Sequence, residues 1–237
     1  MRNLAIDIGN TNSKLAVFDG RTMIYHEVVP LIEEAALSRL IDDYRIECAI
    51  LSNVNHSQEM LVSFLQANTR YIPFSVEKNT GIHNNYKSPA TLGLDRWAKL
   101  IAVHQQFANE AVLIIDMGTC ITYDYLDAAA TYDGGSISLG IQMRFNALHW
   151  DKNYTIPSGT DTASAMTSGV LQGVKNELEG FINQRYKDNS TMKIMVTGGD
   201  ARFLLEQFKN SIFAGQIIHD PYLVLKGLNE VIAFEYV

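Results

Sequence analysis

Residues 4–18 read LAIDIGNTNSKLAVF, and residues 112–125 read VLIIDMGTCITYDY. Each segment is an apolar strand that ends at an Asp, followed by a short turn with Gly and Thr or Asn and then by a second, alternating strand. A pattern that occurs twice indicates an internal repeat. We therefore predict two similar lobes, residues 1–110 and residues 111–237.

Both copies are predicted to continue into a third strand. In the first copy, an Asp19-Gly20 turn leads to a strand over residues 23–29. In the second copy, the predicted turn is Asp133-Gly134-Gly135, and the strand covers residues 136–139. Each copy is therefore predicted to be a three-stranded meander.

Helical spacing of apolar residues follows the meanders, for example at residues 37–44 and 97–107. Near the end of the chain, Asp220 and Pro221 form a predicted N-cap and first turn of another helix. The predicted fold class is α/β, with two similar lobes, each a mixed sheet flanked by helices, and a cleft between them.

The composition excludes several classes of protein. The chain has 237 residues, 47% of them hydrophobic, which is enough to bury a core and excludes a disordered chain. Its formal net charge of -7 gives no diffuse positive field, so we expect neither nucleic acid nor an anionic membrane as a partner. An acid appears already at Asp7, so we expect no signal peptide and a cytoplasmic location.

The cysteines and histidines show no metal-site spacing. Cys48 and Cys120 both lie in apolar runs, so we expect two buried hydrophobic side chains. The six histidines, His56 among them, form no zinc motif, and His104 on an apolar helix face is predicted to be a core residue.

The turn at residues 9–12 is suited to phosphate. Between two strands it brings backbone N–H groups, the Thr11 hydroxyl and the Lys14 ammonium to one small volume. Asp7 would repel phosphate by itself, so its carboxylate at this place is explained best by a hydrated Mg²⁺ between them. The alternative is an ordinary hairpin, because the same residue types are the usual turn formers.

The second copy repeats this chemistry at Asp116, Gly118 and Thr119. Two facing copies would hold a triphosphate from both lobes, and the repeat favours this interpretation over two unrelated hairpins. A third glycine turn, Gly198-Gly199-Asp200, follows a strand, and it is compatible with adenine or ribose contact or with an ordinary turn. The chain has no P-loop and no dinucleotide-binding glycine motif.

Asp95 and Arg96 stand near the start of a predicted helix. A carboxylate is favoured there, and its pKa tends to be low. Phosphoryl transfer to an alcohol needs a carboxylate within reach of the hydroxyl and a cation that orients the acceptor. The alternative is that Asp95 is only the N-cap and Arg96 is solvated.

Five motifs occur in order along most of the chain, from Asp7 to about Asp200. They are Asp7-x-Gly9-Asn10-Thr11-x-x-Lys14, Gly93-x-Asp95-Arg96, Asp116-x-Gly118-Thr119-x-x-Thr122, Gly134-Gly135-x-Ile137 and Thr197-Gly198-Gly199-Asp200. In this combination the sequence resembles the type III pantothenate kinases of the acetate and sugar kinase, heat-shock chaperone and actin superfamily. The resemblance implies an actin-like fold, related to that of ribonuclease H, and ATP-dependent phosphorylation of pantothenate to 4'-phosphopantothenate, the first step of coenzyme A biosynthesis.

The resemblance also implies roles for single residues. Asp95 would be the general base. The implied pantothenate contacts are Tyr86, Gly93, Leu94, Asp95, Arg96 and Thr162, the last supplied by the partner subunit of a homodimer. The implied ATP contacts are Asp7, Ile8, Gly9, Asn10, Thr11, Asn12, Ser13, Lys14 and Thr119. Asp116 would bind a monovalent cation, K⁺ or NH₄⁺, and Asp7 would hold Mg²⁺ through water.

One position departs from the family pattern, since Leu139 stands before Gly140 where the family usually has proline. This change loosens the backbone of that turn, because only proline fixes φ. Two other functions remain open at this level: a sugar kinase or polyphosphatase of the same superfamily, and a non-catalytic accessory protein for transcription.

Overall fold

The structure, a computed structural model, describes residues 1–53, 59–77 and 80–235. Up to residue 106 the elements are β1 (Arg2–Ile8), β2 (Ser13–Asp19), β3 (Thr22–Val29), α1 (Glu34–Tyr44), β4 (Cys48–Asn53), α2 (Glu59–Asn68), β5 (Arg70–Ile72), β6 (His83–Asn84) and α3 (Leu94–Gln106). The rest are β7 (Val112–Met117), β8 (Cys120–Leu126), β9 (Thr131–Leu139), α4 (Ile141–Ala147), α5 (Thr162–Asp188), β10 (Lys193–Thr197), α6 (Ala201–Phe208), β11 (Ile217–His219) and α7 (Leu223–Phe234).

The chain divides into two compact units. Unit 1 contains Met1–Ala108 and the residues from Tyr222 onward, and unit 2 contains Asn109–Pro221. Within the described residues, no helix is long and apolar enough to cross a membrane.

In unit 1, the strands lie in the order β3-β2-β1-β4-β5. β1 pairs antiparallel with β2 and parallel with β4. Alternate residues of β1, Leu4, Ile6 and Ile8, join the apolar faces of α1 and α2 in one core. The other residues of β1 therefore face the opposite side, where the Asn3 amide donates to Asn229 of α7 at 2.9 Å.

Unit 2 repeats this arrangement, with strands in the order β11-β10-β7-β8-β9. β7 pairs antiparallel with β8 and parallel with β10, as β1 does with β2 and β4. One face of β7, β8 and β10 packs against α4, α5 and α6, whose apolar side chains form the core. The predicted repeat of a three-stranded meander in each half is confirmed.

The third strand of the second meander begins earlier than predicted. Gly134 and Gly135 lie inside β9, not in the turn that precedes it. The turn is at residues 127–130, because the Asp127 carboxylate accepts hydrogen bonds from the N–H groups of Ala129 at 2.9 Å and Thr131 at 2.7 Å.

The last helix belongs to unit 1, although the predicted boundary assigned residues 111–237 to the second lobe. α7 packs closely on α3, where a Cβ on Gly227 would lie 1.9 Å from the Ala98 carbonyl oxygen. The Asn229 amide donates to the Gly20 carbonyl at 2.9 Å. A sequence pattern shows that this helix is amphipathic but not which sheet it covers.

Three smaller expectations need correction. Asp220 does not cap α7, because the N-cap of that helix is Tyr222. The backbone N–H of Asp220 instead donates to the Val196 carbonyl at 3.0 Å, which extends the pairing of β11 with β10. Cys48 is buried as expected, but Cys120 is exposed at the start of β8. His104 is half-buried, not a core residue, and partial burial lowers its pKa.

Candidate active site

The turn between β1 and β2 is closed by a hydrogen bond from the Gly9 N–H to the Asn12 carbonyl, at 3.1 Å. Asn10, Thr11 and Asn12 are exposed at its tip. Exposed hydroxyl and amide groups on a short turn can reach phosphate oxygens.

The residues at both ends of this turn are less exposed. Lys14 is half-buried and is the Cα partner of Asp7 across the β1–β2 pair. The side chains of Ile8 and Ser13 are buried, and Ile8 belongs to the unit 1 core, so among the ATP-contact candidates Ile8 offers only its backbone.

Asp7 lies beside a second polar group that sequence reasoning did not identify. Asp7 is 8% exposed and pairs in register with Ser52 of β4. The buried Ser52 hydroxyl has no hydrogen-bond partner among the residues that the structure describes. An unsatisfied hydroxyl next to a carboxylate fits the water shell of Mg²⁺, which usually takes one or two protein carboxylates and keeps several waters.

In unit 2, the corresponding turn is closed by the Gly118 N–H, which donates to the Cys120 carbonyl at 3.1 Å. Thr119 is exposed and Asp116 half-buried. The Gly140 N–H donates to the Thr119 carbonyl at 3.0 Å, and a Cβ on Gly140 would lie 2.2 Å from the Gly118 carbonyl oxygen. Only glycine fits at position 140 with the turn in this position.

The third glycine turn reaches the same place. β10 pairs with β7 so that Thr197 is opposite Asp116. A Cβ on Gly198 would lie 2.5 Å from Asp116 Oδ1, and the Asp200 N–H donates to the Met117 carbonyl at 2.9 Å. The structure therefore brings together the second Asp-Gly-Thr turn and the Gly-Gly-Asp turn, which the sequence alone left unconnected.

Asp116 also has a hydroxyl beside it that lacks a partner. Thr122 pairs in register with Asp116, is 8% exposed, and its Oγ1 has no hydrogen-bond partner within the described part of the chain. The side chains of Asp116 and Thr122 both offer oxygen atoms, the ligand type that hard cations take. No group of three or more His, Cys, Asp and Glu side chains that could hold a metal ion occurs in residues 1–53, 59–77 and 80–235. His56 lies outside these residues.

Arg144 and Glu177 hold the turn that has Leu139 in place of the family's proline. Arg144 Nε donates to the Leu139 carbonyl at 2.8 Å, and its Nη2 donates to Glu177 at 2.6 Å. Glu177 also accepts from the hydroxyls of Tyr123 and Ser138. Burial opposes ionisation of Glu177, but these three donors outweigh it and hold its pKa below the usual value. Hydrogen bonds therefore constrain the loop that proline would constrain covalently.

A loop before α5 contacts the Gly-Gly-Asp turn. Lys152 Nζ donates to both carboxylate oxygens of Asp200, at 2.8 and 3.0 Å. The Tyr154 hydroxyl donates to Asp200 Oδ1 at 2.6 Å. No spacing in the sequence indicated that Lys152 and Tyr154 would reach position 200.

The start of α3 holds the acceptor-side candidates. Gly93 is the N-cap, so Asp95 is in the first turn and is not the cap. A Cβ on Gly93 would lie 2.7 Å from Asp95 Oδ1, which explains a glycine at this position. Leu94 is half-buried as the first residue of the helix. Arg96 is 4% exposed, so the interpretation of a solvated arginine is wrong.

Lys99, one turn further along α3, forms an ion pair that the motifs did not include. Its ammonium donates to Asp95 Oδ2 at 3.1 Å. Burial opposes ionisation of Asp95, but Lys99 and then Arg96 outweigh it, and the pKa of Asp95 lies below its usual value. Asp95 is therefore a carboxylate at neutral pH.

The Arg96 guanidinium lies over the ring of Tyr86, 5.7 Å from its centroid. The Tyr86 N–H donates to the Asn84 side chain at 3.0 Å, which fixes the loop before the helix. The structure thus brings Tyr86, Gly93 and Arg96 together, and their role in binding pantothenate stays a prediction.

Thr162 is the exposed first residue of α5. Asp161 is the N-cap, and its carboxylate accepts from the Ser164 N–H at 2.8 Å in a capping box. The helix start is therefore well defined. A role for Thr162 in a partner's site stays a prediction, as does the cleft between the two lobes.

The sequence of this chain is similar to those of known proteins along most of its length. The model of the family described as "Type III pantothenate kinase" matches residues 3–184. The chain belongs to the type III pantothenate kinase family. The type III pantothenate kinase of Bacteroides fragilis is 35% identical over an alignment of 246 positions that covers 98% of this chain and 98% of its own.

Among solved structures, the Alp12 filament structure matches with a TM-score of 0.57 at 11% identity and covers 99% of both chains. The activator of the 2-hydroxyisocaproyl-CoA dehydratase from Clostridium difficile, with bound ADPNP, matches with a TM-score of 0.55 at 11% identity over 100% of this chain and 95% of its own. At such low identity these matches show the fold alone. The predicted actin-like fold class is confirmed, and so is pantothenate kinase activity, the first step of coenzyme A biosynthesis, through the type III pantothenate kinase family.

Proposed function

We propose that this pantothenate kinase transfers the γ-phosphoryl group of ATP to the hydroxyl of pantothenate with Asp95 as the general base. The observation that carries the assignment is the environment of Asp95. Its side chain is 28% exposed, so a substrate can reach it, and a buried lysine keeps it ionised. A carboxylate that is ionised and accessible can accept the proton of an attacking hydroxyl.

The neighbours of Asp95 supply the acceptor side of the site. A guanidinium binds a carboxylate with paired hydrogen bonds, so Arg96 is the proposed partner of the pantothenate carboxylate. Tyr86 lies under that guanidinium and supports its orientation. Gly93 lets Asp95 Oδ1 lie against the backbone at the start of α3, and Leu94 contributes its own backbone.

The two glycine turns are the proposed phosphate contacts. In unit 1 these are Gly9, Asn10, Thr11, Asn12 and Lys14, with the backbones of Ile8 and Ser13. Asp7 and Ser52 would hold waters around Mg²⁺, which offsets charge on the phosphates when bound. In unit 2, Thr119 is the proposed ATP contact, and Asp116 and Thr122 offer oxygen atoms to K⁺ or NH₄⁺. What supports both assignments is that the same kind of turn follows the Asp in each unit, closed by the N–H of a glycine that donates to a backbone carbonyl.

A homodimer is part of the proposal, with Thr162 of the partner subunit completing the pantothenate site. The exposed position of Thr162 at the start of α5 is consistent with this role. The partners proposed are thus ATP, pantothenate and a second copy of the chain. A cytoplasmic location remains a prediction from the sequence, where Asp7 interrupts any signal-peptide pattern.

The test is an ATP-turnover assay with pantothenate and a panel of other alcohols, with and without K⁺. We expect ATP turnover with pantothenate and with none of the other alcohols. The rate with pantothenate should be higher when K⁺ is present. Asp95→Asn keeps the size of the side chain and removes its charge, so kcat should fall by about 10²–10⁴-fold with the fold intact. Asp43→Asn, at an exposed position on α1, is the matched control. Near-full activity of Asp95→Asn would remove Asp95 from the role of base.

A further inference from the structure

Lys99 is unusual among the charged residues of unit 1, because its side chain is 0% exposed. A buried ammonium is costly unless it is paired and hydrogen-bonded. Its position on α3, one turn after Asp95, places the ammonium 3.1 Å from Asp95 Oδ2. The pair is asymmetric, since the cation is fully enclosed and the carboxylate reaches solvent.

The two oxygens of Asp95 have different surroundings. Oδ2 accepts from Lys99, whereas Oδ1 is the oxygen that a Cβ on Gly93 would approach to 2.7 Å. The glycine at position 93 lets Oδ1 lie against the backbone, and the 28% exposure of the Asp95 side chain leaves the carboxylate accessible to a substrate group. Lys99 therefore holds one oxygen from inside the protein, and the carboxylate as a whole stays within reach of an acceptor.

We propose that Lys99 is a positioning residue for phosphoryl transfer, which holds Asp95 Oδ2 so that Oδ1 accepts the hydrogen bond from the attacking hydroxyl. This inference rests on the proposed role of Asp95. In the reaction the hydroxyl proton moves to Asp95, the hydroxyl oxygen forms the new bond to phosphorus, and the bond between phosphorus and the leaving ADP oxygen breaks. In such a loose transition state the hydroxyl needs orientation more than strong basicity. A carboxylate held in one orientation and kept ionised supplies it.

The charges around the pair favour the same arrangement. Arg96 follows Asp95 on α3, donates a backbone hydrogen bond to the carboxylate and adds positive charge near it. Helix α7 packs against α3 and carries two charged residues, Lys226 and Glu230. Together with Gln105 and Gln106 they line a cavity at the C-terminal end of α3, the end away from Asp95. Strand β4 also packs against α3, and near its end it carries the neutral Ser52, the register partner of Asp7 in β1. Lys99 is the cation in hydrogen-bonding contact with the Asp95 carboxylate, so its removal should have the larger effect.

The test compares Lys99→Met with the parent in two measurements. The first is the pKa of the Asp95 carboxyl, followed by ¹³C NMR, which needs no turnover. The second is the pH profile of kcat/KM with pantothenate. In Lys99→Met we expect the pKa of Asp95 to rise, the acid limb of the profile to move to higher pH by the same amount, and kcat to fall about 10–100-fold with little change in the KM for ATP.

The controls separate positioning from structural support. Lys209→Met removes an exposed lysine that pairs with Glu206 on the surface, and neither readout should change. Lys99→Arg keeps the charge and should restore part of kcat. In an Asp95→Asn background, Lys99→Met should cost little further activity, because the group that it positions is already gone. If Lys99→Met does not fold, Lys99→Gln carries the same measurements.

An unchanged Asp95 pKa and an unchanged acid limb in a folded Lys99 variant would overturn the proposal. So would a full loss of activity on top of Asp95→Asn, since it would mean that Lys99 acts independently. The proposed function fails separately, if the parent does not phosphorylate pantothenate or if Asp95→Asn is active.

Discussion

Replacing Gly227 with Ala should destabilise unit 1, because α7 and α3 touch through their backbones at this point. The new Cβ would lie 1.9 Å from the Ala98 carbonyl oxygen and 2.6 Å from its carbonyl carbon. Real Cβ atoms essentially never come closer than 3.0 Å to such atoms, so the helices must separate by about 1 Å. In a packed interior, overpacking of this size lowers the free energy of unfolding by about 3 kcal/mol, the upper end of the usual range.

An opposing effect makes the sign of the result informative. Ala is a better helix former than Gly by about 1 kcal/mol, so without the close approach the substitution would stabilise the protein. The expected net loss is about 2 kcal/mol, which corresponds to about 4–8 °C in Tm for a chain of this size. Because α3 carries Asp95 and Arg96, pantothenate turnover should fall as well.

The assay is thermal and urea unfolding, followed by circular dichroism and by fluorescence of Trp97, which is buried in α3. Gly180→Ala is the matched control, since Gly180 is also inside a helix, α5, but has no atom within 4 Å of an added Cβ. We expect that variant to be stabilised by up to about 1 kcal/mol. A Gly227→Ala protein as stable as its parent would refute the close packing of α7 on α3.

Two further predictions concern unit 2. Gly198→Ala should lower the Tm measured without nucleotide, because φ at position 198 is +93° and the new Cβ would lie 2.5 Å from Asp116 Oδ1. Gly199→Ala is the control and should leave Tm nearly unchanged, since nothing lies within 4 Å of its added Cβ. Equal effects of the two substitutions in thermal unfolding would contradict this geometry. Glu177 has a lowered pKa, so the stability that it contributes is present above the ordinary value of about 4.3 and is lost as pH falls through the lower folded value. Glu177→Gln should therefore be less stable than the parent at pH 7 and lose less stability on acidification, and parallel Tm-against-pH curves would disprove this.

Much of the site was predictable from local patterns. The Asp-Gly-Thr turns are sequence-local, since an apolar strand followed by Asp, Gly and Thr or Asn places the carboxylate and the turn next to each other whatever the rest of the chain does. The start of α3 is local in the same way, and the structure forms Gly93, Asp95 and Arg96 into one helical turn. The order of these motifs was enough to indicate the family and the fold class.

Tertiary structure decided what depends on distant segments. The return of α7 to unit 1, the contact of Gly198 with Asp116 and the reach of Lys152 to Asp200 all join residues far apart in the chain, and amphipathic patterns do not specify the partner surface. Lys99 shows the difference at one residue. The spacing of four from Asp95 is visible in the sequence, but only packing shows that its ammonium is buried, and it is burial that makes the ion pair strong enough to hold a carboxylate in place.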